Sequence, residues 1–204
     1  MGKTGIMGGT FDPIHCAHIR MARCAMEQKN LDRVLFMPSK NPPHKAGKNV
    51  SDEWLRARLV KLAIEDEEGF CFSDFELRRD GTTYTAKTLA LLKKQCPEEE
   101  LYFIMGGDSL FQFVHWYHPE EIAKYAVVLA VSRGSMAAGQ MEGQAELLAA
   151  RFQGNFELIQ MEKMDVSSSL IREKLIKGEE VRGMLPKKVY EYIMENGCYG
   201  LDKE

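Results

Sequence analysis

Short apolar runs rich in β-branched and aromatic residues alternate along the chain with longer stretches whose apolar positions recur every three or four residues. The short runs predict strands at Lys3–Met7, Arg33–Met37, Phe70–Ser73, Leu101–Met105, Ala126–Val131 and Phe156–Gln160. The longer stretches predict helices at Cys16–Gln28, Asp52–Glu65, Thr85–Gln95, Ser109–Val114, Pro119–Lys124, Gly143–Phe152, Ser168–Lys177 and Lys187–Asn196. Strands alternating with helices of this length fold as βαβ units. The pattern therefore predicts an α/β, Rossmann-like doubly wound parallel sheet with helices on both faces and a small C-terminal helical part. Gly134–Gly143, poor in charge, reads as a surface loop, and Gly200–Glu204 as a frayed tail.

Sheets of this kind bind ligands outside the carboxyl ends of their strands, where the strand order reverses. That directs attention to the segments following strands: Gly8–His15, Pro38–Lys48, Gly106-Gly107-Asp108 and Ser132–Gly134. Composition changes the picture little. The 204 residues, 45% hydrophobic and 28% charged, fit one domain over 1–204. A formal net charge of −3 argues against a dedicated binder of nucleic acid or of an anionic membrane. Five scattered cysteines with no CxxC pair, and no uninterrupted apolar run approaching 18 residues, read as a cytoplasmic protein with reduced thiols.

The richest segment is Gly8-Gly9-Thr10-Phe11-Asp12-Pro13-Ile14-His15-Cys16-Ala17-His18. A strand, a glycine turn and a helix start present backbone N–H groups and a positive helix end to phosphate. His15 and His18 share a face of the first turn, and a bound triphosphate would favour their protonated, donating form. A zinc site on His15, Cys16 and His18 is a weaker reading, because helical geometry turns Cys16 away. Pro38–Lys48 holds three lysines and a histidine, the composition of a phosphate clamp or of a solvated loop. Asp108 in Gly106-Gly107-Asp108 suits a ribose hydroxyl or an N-cap of the helix at Ser109. Trp116-Tyr117, flanked by His115 and His118, offers rings that stack on a planar heterocycle or simply pack between helices. Ser167-Ser168-Ser169 with Arg172 forms a second helix start able to hold phosphate, or an ordinary serine cap.

Gly8–His18 resembles the GTFDPxHxGH segment of the nucleotidylyltransferase superfamily, and Val166–Arg172 resembles its ISSTxIR segment. Intermediate landmarks are similar to those of bacterial nicotinate-nucleotide adenylyltransferases. These landmarks are Pro42-Pro43-His44-Lys45, Glu76-Leu77, Tyr84-Thr85, Phe103–Asp108, Trp116-Tyr117 and Leu185-Pro186. The resemblance runs in order from Gly5 to about Tyr199. It implies joining of ATP to nicotinate mononucleotide, with Mg²⁺ bound mainly through the ATP phosphates and no metal held by the protein. His15, His18, Lys45 and Arg172 would be catalytic. Gly8, Gly9, Phe11, Gly106, Asp108, Arg133 and Ser168 would join His15, His18 and Arg172 around ATP. Thr10, Lys45, Tyr84, Thr85, Asp108, Trp116 and Tyr117 would meet nicotinate mononucleotide. The chain departs from the pattern at Ala17, a family glycine, and at Lys87, often an aspartate. A sister adenylyl- or cytidylyltransferase remains an alternative, as does a non-catalytic dinucleotide-binding module, although Gly8–His18 lacks the GxGxxG spacing. Oligomeric state is not legible.

Overall fold

A computed structural model describes residues 2–41, 50–133 and 138–200, with the backbone alone at Arg133 and Ala138. Six strands, β1 (Lys3–Gly9), β2 (Arg33–Pro38), β3 (Phe70–Phe72), β4 (Glu100–Gly106), β5 (Val127–Arg133) and β6 (Phe156–Met161), form one sheet in the order β3-β2-β1-β4-β5-β6. Every pairing is parallel, with Ile6 opposite Leu35 on one side of β1 and Phe103 on the other. The helices are α1 (Cys16–Lys29), α2 (Glu53–Ile64), α3 (Thr85–Gln95), α4 (Gly107–Gln112), α5 (Pro119–Tyr125), α6 (Ala138–Phe152), α7 (Ser168–Ile176) and α8 (Lys187–Asn196).

The strands read as near-continuous apolar runs because both sheet faces are covered. Alternation along β4 divides the core: Tyr102 and Ile104 join one buried cluster, Leu101, Phe103 and Met105 the other. The first cluster is closed by Ala22 of α1, Leu59 of α2, Ile171 of α7 and Val189 of α8. The second is closed by Leu89 of α3, Leu110 of α4, Ile122 of α5 and Leu148 of α6. From β1 the chain winds outward through β2 and β3; from β4 it winds the other way through β5 and β6. The reversal lies between β1 and β4, where such sheets open a crevice at the strands' carboxyl ends.

Most element ends differ from the sequence reading by a residue or two, and three elements differ in ways that bear on the site or the core. Helix α6 begins at Ala138, so the loop expected over Gly134–Gly143 is helical from 138, and 134–137 fall outside the described residues. Met141, Ala145 and Leu148, spaced by four and three, are buried and anchor this helix, while Gly139 and Gly143 face open space. Strand β5 continues through Ser132, opposite Gln160, and ends at Arg133. Helix α4 starts at Gly107 with Gly106 as its N-cap, so Asp108 is a first-turn carboxylate rather than the cap.

Candidate active site

From Gly8 and Gly9, at the end of β1, the chain turns through Thr10 to Ile14 and enters α1. Phe11 takes φ 51, in the left-handed region that non-glycine residues seldom visit. Its ring is buried, tilted against Phe36 at 6.1 Å and edge-on to His18 at 5.1 Å. Phe11 thus lies in the core and braces the imidazole. His15 is the extended N-cap of α1 and His18 its third residue. The His15 N–H donates to His18 Nδ1 at 3.3 Å, and the two rings stack at 3.7 Å. With Nδ1 accepting, the ring donor of His18 is Nε2–H, a role the neutral imidazole performs. Of the pair expected to be partly exposed, His18 is half-buried while His15 is only 4% exposed. Ala17 is fully buried in the first core cluster, so its methyl group points away from the crevice.

Side chains hold the turn's carbonyls. Ser39 donates to the Gly9 carbonyl from its N–H at 2.9 Å and its hydroxyl at 3.2 Å. Arg56 Nη1 donates to the Thr10 carbonyl at 2.7 Å. Arg172 Nη1 donates to the Asp12 carbonyl, and the Ser168 hydroxyl to the Pro13 carbonyl at 2.9 Å. Arg172 also stands 3.8 Å from Asp12 Oδ2. The two helix starts singled out in the sequence, those of α1 and α7, therefore meet at the switch point. Serine capping at α7 falls to Ser167, whose hydroxyl accepts the Leu170 N–H at 3.2 Å.

Beside the turn a cavity of about 520 Å³ is lined by Gly8, Gly9, Tyr84, Thr85, Trp116 and Tyr117, residues from three separated segments. Helix α3 begins at Thr85 with Tyr84 as an N-cap that makes no side-chain capping bond, so its positive end faces this space. Trp116 leans on Phe103 and Phe113, each at 5.9 Å. Tyr84 and Tyr117 stack at 4.1 Å, and the Lys87 ammonium sits 5.5 Å from both rings. Asp108 is exposed in the first turn of α4, at the carboxyl end of β4 beyond Gly106. The Lys45 assignment, with the rest of 42–49, lies outside the described residues, as does the side chain of Arg133.

Three residues without an assigned role in the sequence reading also belong to this region. Glu76 lines the cavity and accepts from the Thr88 hydroxyl at 2.7 Å; burial pushes its carboxyl up despite Thr88 and Arg79, which discourages charge there. The Thr83 hydroxyl is buried in the same lining with no partner among the described residues. Arg56 is the third. Its sequence signal was its place on the buried stripe with Leu59, Val60 and Ala63. As for metals, no three His, Cys, Asp or Glu side chains converge among the described residues. Burial also pushes the Cys16 thiol up, away from the thiolate that zinc requires.

Residues 6–174 match the family model described as cytidylyltransferase-like. A protein of Lachnoclostridium phytofermentans, described as a probable nicotinate-nucleotide adenylyltransferase, is 41% identical over 199 residues, spanning 98% of this chain and 100% of its own. A protein of Clostridium botulinum with the same description is 38% identical, spanning 98% of each chain. Among solved structures, Plasmodium falciparum nicotinic acid mononucleotide adenylyltransferase complexed with NaAD shares the fold. Its TM-score is 0.81 at 19% identity, with 100% of both chains covered.

Proposed function

The chain belongs to the cytidylyltransferase-like family and, within it, to the nicotinate-nucleotide adenylyltransferases, and on that footing we propose that it joins ATP and nicotinate mononucleotide into deamido-NAD and pyrophosphate, a step of NAD biosynthesis, by direct in-line attack. The observation that supports this reading best is the cavity joining the β1 glycine turn to the start of α3 and to Trp116-Tyr117. One end of that space suits phosphate and the other a planar acid.

In this reading the ATP phosphates lie along the start of α1, met by the N–H groups of the turn, by His15 and by His18 Nε2–H, with Ser168 and Arg172 on the α7 side. Gly8, Gly9 and Gly106 give close backbone approach, Phe11 braces His18, Asp108 accepts from ribose, and Arg133 serves the adenine side. The pyridine stacks on Trp116, and its carboxylate accepts from amides at Thr85 and Tyr117, with Tyr84 beside them. Thr10 and Lys45 belong to the mononucleotide phosphate. A carboxylate accepts two such bonds, whereas an amide presents donors of its own, which favours the acid.

The 5′-phosphate of the mononucleotide is already anionic, so one of its oxygens attacks the α-phosphorus without a protein base. The bond from that phosphorus to the bridging oxygen breaks, and pyrophosphate leaves with the electron pair. The protein positions the reactants and donates to the oxygens that gain charge. Magnesium, a hard cation, would be held mainly by the oxygens of the ATP phosphates and would supply neutralisation of the leaving group's charge. ATP made chiral by sulfur at the α-phosphorus tests the in-line route: a single displacement inverts the configuration, and retention in the dinucleotide would contradict it.

A further inference from the structure

Arg56 is only 1% exposed, and no larger side chain among the described residues is so fully buried. It projects from the first turn of α2 and collects three carbonyls from three segments. Its Nη1 donates to Thr10 at 2.7 Å and to Ser39 at 2.9 Å, and its Nε donates to Ser51 at 3.0 Å. Ser39, whose own carbonyl it holds, in turn binds the Gly9 carbonyl twice. In a trans peptide the C=O and the following N–H point in opposite directions. Drawing the Gly9 carbonyl toward Ser39, on the β2 side of β1, turns the Thr10 N–H to the side where β4 lies, and drawing the Thr10 carbonyl toward Arg56 turns the Phe11 N–H away from that guanidinium. We infer that Arg56 is a positioning residue for the phosphate turn: acting through Thr10 and Ser39, it keeps carbonyl oxygens off the anion-facing side and aims amide donors at the ATP phosphates.

Burial alone would disfavour a charge here, and it does pull the guanidinium down against the opposing pull of Asp12. A hydrocarbon side chain would avoid that desolvation but leave buried carbonyls unmet. A lysine would keep the charge and lose the planar fork that reaches Nη1 and Nε acceptors together. The inference rests on ATP being a substrate, and its test is chosen to fail separately from that reading. ATP affinity of the unmodified protein and of Arg56→Lys is measured by titration calorimetry, beside KM for each substrate, kcat and thermal melting. The expected result is ATP binding weakened about tenfold or more, a matching rise in the ATP KM, and a smaller rise in the KM for nicotinate mononucleotide, whose phosphate meets Thr10. Arg56→Lys that folds and binds ATP like the unmodified protein overturns the inference, as does an equal rise in both KM values tracking a fall in melting temperature. Should Arg56→Lys not fold, Arg56→Gln, which keeps a single amide donor in place of the fork, decides instead: unchanged ATP affinity overturns the inference, and weaker ATP affinity with a smaller effect on the mononucleotide KM upholds it. An unmodified protein that binds ATP but transfers nothing would count against the adenylyl-transfer reading and leave this comparison intact.

Discussion

Replacing His18 with alanine removes the Nε2–H donor and the acceptor of the His15 N–H. Losing one preorganised donor to developing charge typically costs about 10²–10³ in rate, whereas losing a helix cap costs about 0.5–2 kcal/mol. The account therefore expects His18→Ala to melt within several degrees of the parent while kcat falls by two to three orders of magnitude. Near-normal turnover in the folded variant would remove His18 from the machinery. The spacing of His15 and His18 was legible in the sequence, and so was the glycine turn before them. The burial of Phe11 and the acceptor role of His18 Nδ1 were not, because each depends on the turn's left-handed residue and on how α1 is capped. Arg56 was not legible for a different reason: an arginine in a helix usually belongs to a solvated face. The buried stripe that it shares with Leu59 and Val60 was the available signal.

The elements followed the hydrophobic pattern closely wherever the core decides their ends. Helices α3 and α8 have the bounds that the pattern predicts, and each of the six strands contains the predicted run or misses one residue of it. Misreadings fell where glycine outweighed a distant contact. In α6, Gly139 and Gly143 suggested a loop, but Met141 packing into the second cluster carries the helix through them. Gly107 shows the opposite use of glycine. A Cβ there would meet Met141 at 3.0 Å and the Val131 carbonyl oxygen at 3.2 Å, so α4 approaches β5 and α6 closely only because the methyl is missing. Met141 is flexible, but the carbonyl belongs to the sheet. Gly107→Ala should therefore cost about 1–3 kcal/mol, seen as a lower denaturation midpoint, and should weaken ATP binding by moving the first turn that carries Asp108. Unchanged stability and ATP affinity would show that α4 has room to shift.

For the whole molecule, the topology does the work that no single motif could. Strand order reverses between β1 and β4, so segments far apart in sequence (the turn after β1, the Ser168–Arg172 start, Tyr84-Thr85 and Trp116-Tyr117) gather at one end of the sheet. The βαβ alternation made that end legible, since ligands sit at the carboxyl ends of such strands. It could not show that α7 reaches the first motif through carbonyls of Asp12 and Pro13, a contact between residues more than 150 positions apart. The cavity's two characters, backbone donors at the start of α3 and aromatic rings beside them, give the account its central claim: the partner of ATP is a pyridine mononucleotide bearing a carboxylate. The most direct test compares kcat/KM for nicotinate mononucleotide and nicotinamide mononucleotide in the presence of ATP and Mg²⁺, following pyrophosphate release and dinucleotide formation together. The account predicts that the acid is preferred by about tenfold or more; equal use of the two, or preference for the amide, would contradict it.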